Sequence, residues 1–169
     1  MSELSYFHNI YNYWKTCISA QDFQDHWEDL FKKAFSVEDM TFLLYSASKL
    51  FSQKKDGGYA FKSPQDQYTA RDYFSKQVKN CEILLEKAPS TSKPQSIIFL
   101  IKTYNMVQIH PSSGMQELLI QQSQATLELL SFRDQRYILR NLVGIGVYPG
   151  DAWIEAWYSA FTNSASEQN

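Results

Sequence analysis

Cysteine is scarce in this chain: Cys17 and Cys81 stand far apart, with no CxxC pair and no Cys/His cluster around either. That excludes a disulfide scaffold and a cysteine-based zinc site, and reads as two reduced, packed thiols of a cytosolic protein. Histidine is scarce too. His8, His26 and His110 have no second ligand at the i+3 or i+4 spacing of a helical metal site, so no metal or other cofactor is expected. Glycine occurs six times. The spaced pair Gly144-Ile145-Gly146 is not followed by the helix start of a dinucleotide loop, and neither a phosphate-binding GxxxxGKS nor a nucleophile-elbow GxSxG occurs. No stretch approaches the roughly 18 consecutive apolar residues of a membrane span. The first residues, MSELSYFHNIYNYWK, lack the basic start and apolar run of a secretory signal, so general secretion is not expected. A cysteine nucleophile needs a positioned histidine that the sequence does not display, and the expectation is a protein that is not an enzyme.

Charge of one sign is also missing as an overall bias. The formal charge is -2 and the sequence pI about 5.9, which gives no general pull toward nucleic acid. The segments differ, however. Residues 1–48 carry three basic and seven acidic groups, residues 49–102 ten and five, and residues 103–169 three and six. A negatively charged partner would therefore choose the middle or a local patch.

Apolar side chains are plentiful: 44% of the chain is hydrophobic and 15% aromatic, enough for a sizeable core in 169 residues. Their spacing is helical. Ser131 to Phe161 reads as a two-helix unit, with Ser131 as N-cap and Asp134 three residues on, where the helix dipole favours an acid. Ile138, Leu139, Leu142 and Ile145 fall on one face. Gly146 and Pro149 stop the helix, and Asp151 is a cap for a second one carrying Trp153, Ile154, Trp157 and Phe161. Trp27, Trp153 and Trp157 are expected in the core.

The same frame recurs upstream. Ser36 with Asp39 precedes Leu43, Leu44, Ala47 and Leu50 at the same four offsets. A third copy counted from Ser92, with Pro94 in its first turn, gives Phe99, Leu100, Thr103 and Met106. The spacings are 39 residues from Ser92 to Ser131 and 56 from Ser36 to Ser92, the excess fitting a loop or hairpin at Gly57-Gly58 and a long helix over 64–88. In front lie a capping helix over 4–18, with Leu4, Phe7, Ile10, Trp14 and Cys17 on one face, and a helix capped by Asp22. The sequence thus predicts an all-α fold: a short α-solenoid of antiparallel helix pairs behind an N-terminal capping helix. Residues 1–161 form one domain in this reading, and TNSASEQN, 162–169, a disordered polar tail.

This frame, S-x-x-D with four apolar offsets, then G-V-x-P and a W-x-x-x-W helix, resembles the octotricopeptide-type helical repeats, best in FSVEDMTFLLYSASKL and FRDQRYILRNLVGIGVYP. The resemblance implies a scaffold that binds single-stranded RNA in organelles. Similar repeats occur in proteins that intracellular bacteria inject into host cells, and the C-terminal tail is similar to the signals of such effectors. The resemblance thus adds an injected effector to the expectation of a cytoplasmic protein. The acidic total and the small number of units favour a protein partner, with RNA as the alternative. The candidate binding residues are Arg133, Arg136 and Arg140, which share a helix face at i, i+3 and i+7, with Tyr137 beside them and Lys49 and Lys102 on the corresponding helices.

Overall fold

The computed structural model describes residues 3–34, 36–52, 61–88 and 93–167, with side chains from Asn9 onward. Among these residues it forms eight α-helices and no strand: α1 (Glu3–Trp14), α2 (Ala20–Phe31), α3 (Val37–Ser52), α4 (Pro64–Lys87), α5 (Pro94–Val107), α6 (Ser113–Thr126), α7 (Phe132–Gly144) and α8 (Asp151–Glu167), with a 3-10 turn at Leu127–Leu129. None of these helices is long and apolar enough to cross a membrane. The hairpin expected at Gly57-Gly58 and the cap expected at Ser92 lie outside the described residues.

Serine opens helix after helix. The Oγ atoms of Ser36 and Ser131 accept the backbone N–H of Asp39 and Asp134 at 3.0 and 3.2 Å, as the spacing predicts. Three further starts use the same device, among them α6, where Ser112 Oγ accepts the Met115 N–H at 3.2 Å. Ser19, not Asp22, is the N-cap of α2, and the two form a reciprocal box in which Ser19 Oγ accepts from Asp22 N–H and Asp22 Oδ2 accepts from Ser19 N–H, each at 3.1 Å. At the start of α4 Ser63 Oγ accepts the Asp66 N–H at 3.1 Å and its hydroxyl donates to Asp66 Oδ2 at 2.7 Å, and the Asp66 carboxylate also accepts the Ala20 N–H at 3.0 Å, tying the first turns of α2 and α4 together.

The chain divides into two compact units, Met1–Cys81 and Glu82–Asn169. In the first, α1 packs on α2 and α3, and α2 on α3. Its core is aromatic. Phe23 stacks on Trp14 at 5.2 Å and meets Phe51 and Phe74 edge-on, while Trp27 packs on Phe74 at 5.7 Å. The buried indole of Trp14 donates to Ser46 Oγ at 3.0 Å, so its polar end is satisfied. Ile10 and Trp14 are buried as the helical face of α1 requires; beyond the end of the helix at Trp14, Cys17 is buried and Ile18 exposed. Along α4, Phe74, Val78, Cys81 and Leu85 are buried, whereas Tyr68 and Leu84 are exposed.

In the second unit α5 packs on α6 and α7, α7 on α8, and α6 on α8. Trp153, buried on α8, donates from Nε1 to Ser123 Oγ of α6 at 2.8 Å. The carboxylate of Glu82, also buried, accepts from the Tyr104 hydroxyl at 2.7 Å and from the Ser112 N–H at 3.2 Å, which pins the start of α6.

α5 has its register one residue later than the count from Ser92 implies. α5 begins at Pro94 with Lys93 as N-cap, since a proline lacking its N–H suits the first helical position. Counted from Lys93, the seventh, eighth, eleventh and fourteenth residues are Leu100, Ile101, Tyr104 and Val107, all buried; Phe99 and Met106 are only half-buried. Downstream the markers coincide with those counted from Ser131. The fifteenth residue is left-handed in both, Gln108 at φ 56° and Gly146 at φ 81°. The eighteenth is Pro111 or Pro149, and the twentieth opens the next helix, Ser113 or Asp151. A side chain at Gly146 would also place its Cβ 2.9 Å from His110 Nδ1, so glycine is required there on two counts.

α8 runs on to Glu167 through most of the segment expected to be a disordered tail. No glycine or proline follows Trp153 to stop it, and Thr162 and Ser166 bond back to the carbonyls of Tyr158 and Thr162.

Two measurements check this packing. Trp153→Ala removes a side chain that is 1% exposed together with its bond to Ser123, and costs about 3–5 kcal/mol in a urea unfolding curve; a loss below about 1 kcal/mol contradicts the assignment. The Asp22 carboxyl is held below its ordinary value of 3.8 by the Ile18 N–H and then by Ser19. A depressed pKa contributes stability that is full above 3.8 and is lost as the pH falls through the lower folded value. Asp22→Asn therefore lowers the melting temperature by more at pH 7 than at about pH 2, where acid opposes the charged form of the carboxyl. An equal loss at both pH values contradicts the capping role.

Candidate functional site

α7 is built with two unlike faces. Ile138 and Leu142 are fully buried, as is Gln135, whose side-chain amide donates to the Leu127 carbonyl at 2.9 Å. At about 100° per residue, anchoring that face turns Arg133, Arg136 and Arg140 outward together. All three are exposed, and among the described residues no ion pair or hydrogen bond engages their guanidinium groups.

They lie in a groove of about 900 Å³ within the second unit. On one side it is bordered by Asn105 of α5, whose side-chain amide donates to Asn141 Oδ1 at 2.8 Å, while Asn141 donates to the Tyr137 carbonyl at 2.8 Å. On the other stand the rings of α8. Phe161 stacks on Phe132 at 4.7 Å and on Trp157 at 4.8 Å, with interplanar angles of 24° and 16°. Trp157 is fixed further by donating from Nε1 to the Gln135 carbonyl at 2.6 Å. Among the described residues no acidic side chain lines this groove.

Of the six sequence candidates, Arg133, Arg136, Tyr137 and Arg140 are thus brought together. Lys102 adjoins them, its ammonium 5.2 Å from the Tyr137 ring centroid. Lys49 belongs to the other unit, where its ammonium lies over Tyr11 at 4.5 Å and Tyr45 at 4.7 Å. Desolvation there opposes its charge, but the Tyr45 hydroxyl and Tyr11 outweigh it and the pKa is raised. That charge is used within the fold.

No protein-family model, curated protein or solved structure matches this chain. The chemistry of the groove is therefore read from its own side chains.

Phe132, Trp157, Phe161 and Asn105 are among the lining residues that the sequence reading did not single out as binding residues. It assigned Trp157 to the core, where the structure has it half-buried on the groove wall. The signal was in the phase of α8. Trp153 and Ala160 define the buried stripe, and Trp157 and Phe161 lie about 40° and 80° to one side of Trp153, at the margin of that stripe.

The remaining reactive groups are tied into the packing. Burial pushes the Cys81 thiol up to about 12, and burial with the nearby Asp22 carboxylate does the same for Cys17, which leaves both as thiols at neutral pH. His26 meets Thr16 Oγ1 at 2.8 Å and stacks on Tyr13, and His110 contacts the Ile145 carbonyl at 3.1 Å and Gln116. Among the described residues no group of three or more His, Cys, Asp or Glu side chains is placed to hold a metal ion.

Proposed function

We propose that this chain is a non-enzymatic helical-repeat module that binds a partner protein through the α7 groove. The observation that carries the reading is the gathering of three exposed, unpaired arginines and a three-ring stack in one groove. Like charges at i+3 and i+4 on a helix destabilise it by about 0.2–0.5 kcal/mol per pair, so the stripe costs stability in the free chain and regains it against an anionic surface. Aromatic and arginine side chains are also the types that dominate binding energy at protein interfaces. The repeat reading, a short solenoid of helix pairs, is supported by the shared markers of α5–α6 and α7–α8, from cap to left-handed residue to proline to the next helix start. A cytoplasmic setting, in the producing cell or in a host cell, is compatible with the two buried thiols.

A second reading, binding of single-stranded RNA, is favoured by the ring stack beside the arginines, since bases stack on such rings while arginines meet phosphates.

Capture from nuclease-treated lysate, with the wild type and with Arg136→Glu/Arg140→Glu, tests both. Because these side chains are exposed, the double variant keeps its helicity and melts within a few degrees of the wild type. It loses the proteins that the wild type retains. An identical set of captured proteins contradicts the groove as the binding site, and capture that disappears on nuclease treatment alone favours RNA.

A further inference from the structure

Resting on that reading, we infer that the occupant of the α7 groove is a short acidic peptide segment that also carries an aromatic or large aliphatic side chain. Arg133, Arg136 and Arg140 rise along α7 in steps of about 4.5 and 6 Å, spanning about 10 Å. That span matches three carboxylates on one face of a short helix, or on alternate residues of an extended segment, each within reach of a guanidinium fork. Among the described residues the lining offers no acid to compete for these cations, and Lys102 adds a further positive charge beside Tyr137. The apolar side chain of the segment packs on the open edges of the Trp157 and Phe161 rings.

Two observations favour a peptide over a nucleic acid strand. Residues 103–169 hold six acidic groups against the three arginines, so a long polyanion leaving the groove meets repulsion, while a segment of a few carboxylates does not. Phe161 is already stacked on both Phe132 and Trp157, and a base entering the stack has to part rings held at 4.7 and 4.8 Å, one of them anchored by the Trp157 bond to Gln135. A side chain packing on ring edges leaves the stack intact.

The test uses the full chain and fluorescence anisotropy with four labelled probes: a peptide with three glutamates and one phenylalanine, the same peptide with glutamines, the same peptide with lysines, and oligouridylate. The glutamate peptide is expected to bind, with affinity falling as salt rises. The glutamine peptide binds the wild type about tenfold more weakly or worse. Arg136→Glu/Arg140→Glu loses the glutamate peptide and gains the lysine peptide, an exchange that misfolding does not produce. Phe161→Ala weakens the glutamate peptide severalfold at unchanged salt dependence. Equal binding of the glutamate and glutamine peptides, tighter binding of oligouridylate, or no binding of the glutamate peptide overturns the inference. If the lysate proteins are nonetheless lost on charge reversal, the module reading stands and only the acidic occupant falls; if they are retained, both fall.

Discussion

The second unit depends on the one-sided burial of α7. A thirteen-residue helix is too short to hold itself together in water, so its orientation is set by what it buries. Ile138 and Leu142 go fully inward, Gln135 follows with its amide bonded to the Leu127 carbonyl, and the helix can then present only one other face. Three arginines occupy that face. A rotation of one residue, about 100°, would bury a guanidinium without a partner, which costs several kcal/mol, so the arginine stripe is as firmly placed as the core beneath it.

The groove inherits its walls from the same packing. α7 rests against α5 and α8, and each contact leaves a polar or aromatic margin at the surface: the Asn105–Asn141 bond on one side, the Phe132–Phe161–Trp157 stack on the other. Each unit also satisfies a buried tryptophan by the same means, an indole N–H donating to a serine hydroxyl on another helix, Trp14 to Ser46 and Trp153 to Ser123. The aromatic rings that fill the interior are therefore fixed in direction as well as in position.

Helix starts and buried faces were legible in the sequence because both are local. Ser36, Ser131, Asp134 and the periodic Leu and Ile residues identify α3 and α7, and Arg133, Arg136 and Arg140 share a face for the same geometric reason. The S-x-x-D frame was less specific than the markers downstream of it that α5–α6 and α7–α8 share. S-x-x-D also opens α2 at Ser19 and α4 at Ser63, because the motif satisfies free N–H groups at any helix start and carries no information about which helix it begins. Where the serine frame was trusted without its acid, at Ser92, the register came out one residue early. Pro94, with its missing N–H, decides that start instead. The ring stack was not legible, since stacking between Phe132 and Phe161 requires knowing how α7 meets α8, and the tail was misjudged because composition alone does not stop a helix that has already begun.

The central claim is that the partner lies on the arginine face of α7 between the α5 and α8 margins. The most direct measurement is a nitrogen-detected NMR titration of the full chain with its captured partner, following the guanidinium Nε–H signals of Arg133, Arg136 and Arg140 and the indole signals of Trp153 and Trp157. The account predicts that the three arginine signals and Trp157 shift together while Trp153, buried against Ser123, stays in place. Shifts confined to the first unit, with the arginine signals unmoved, would contradict it.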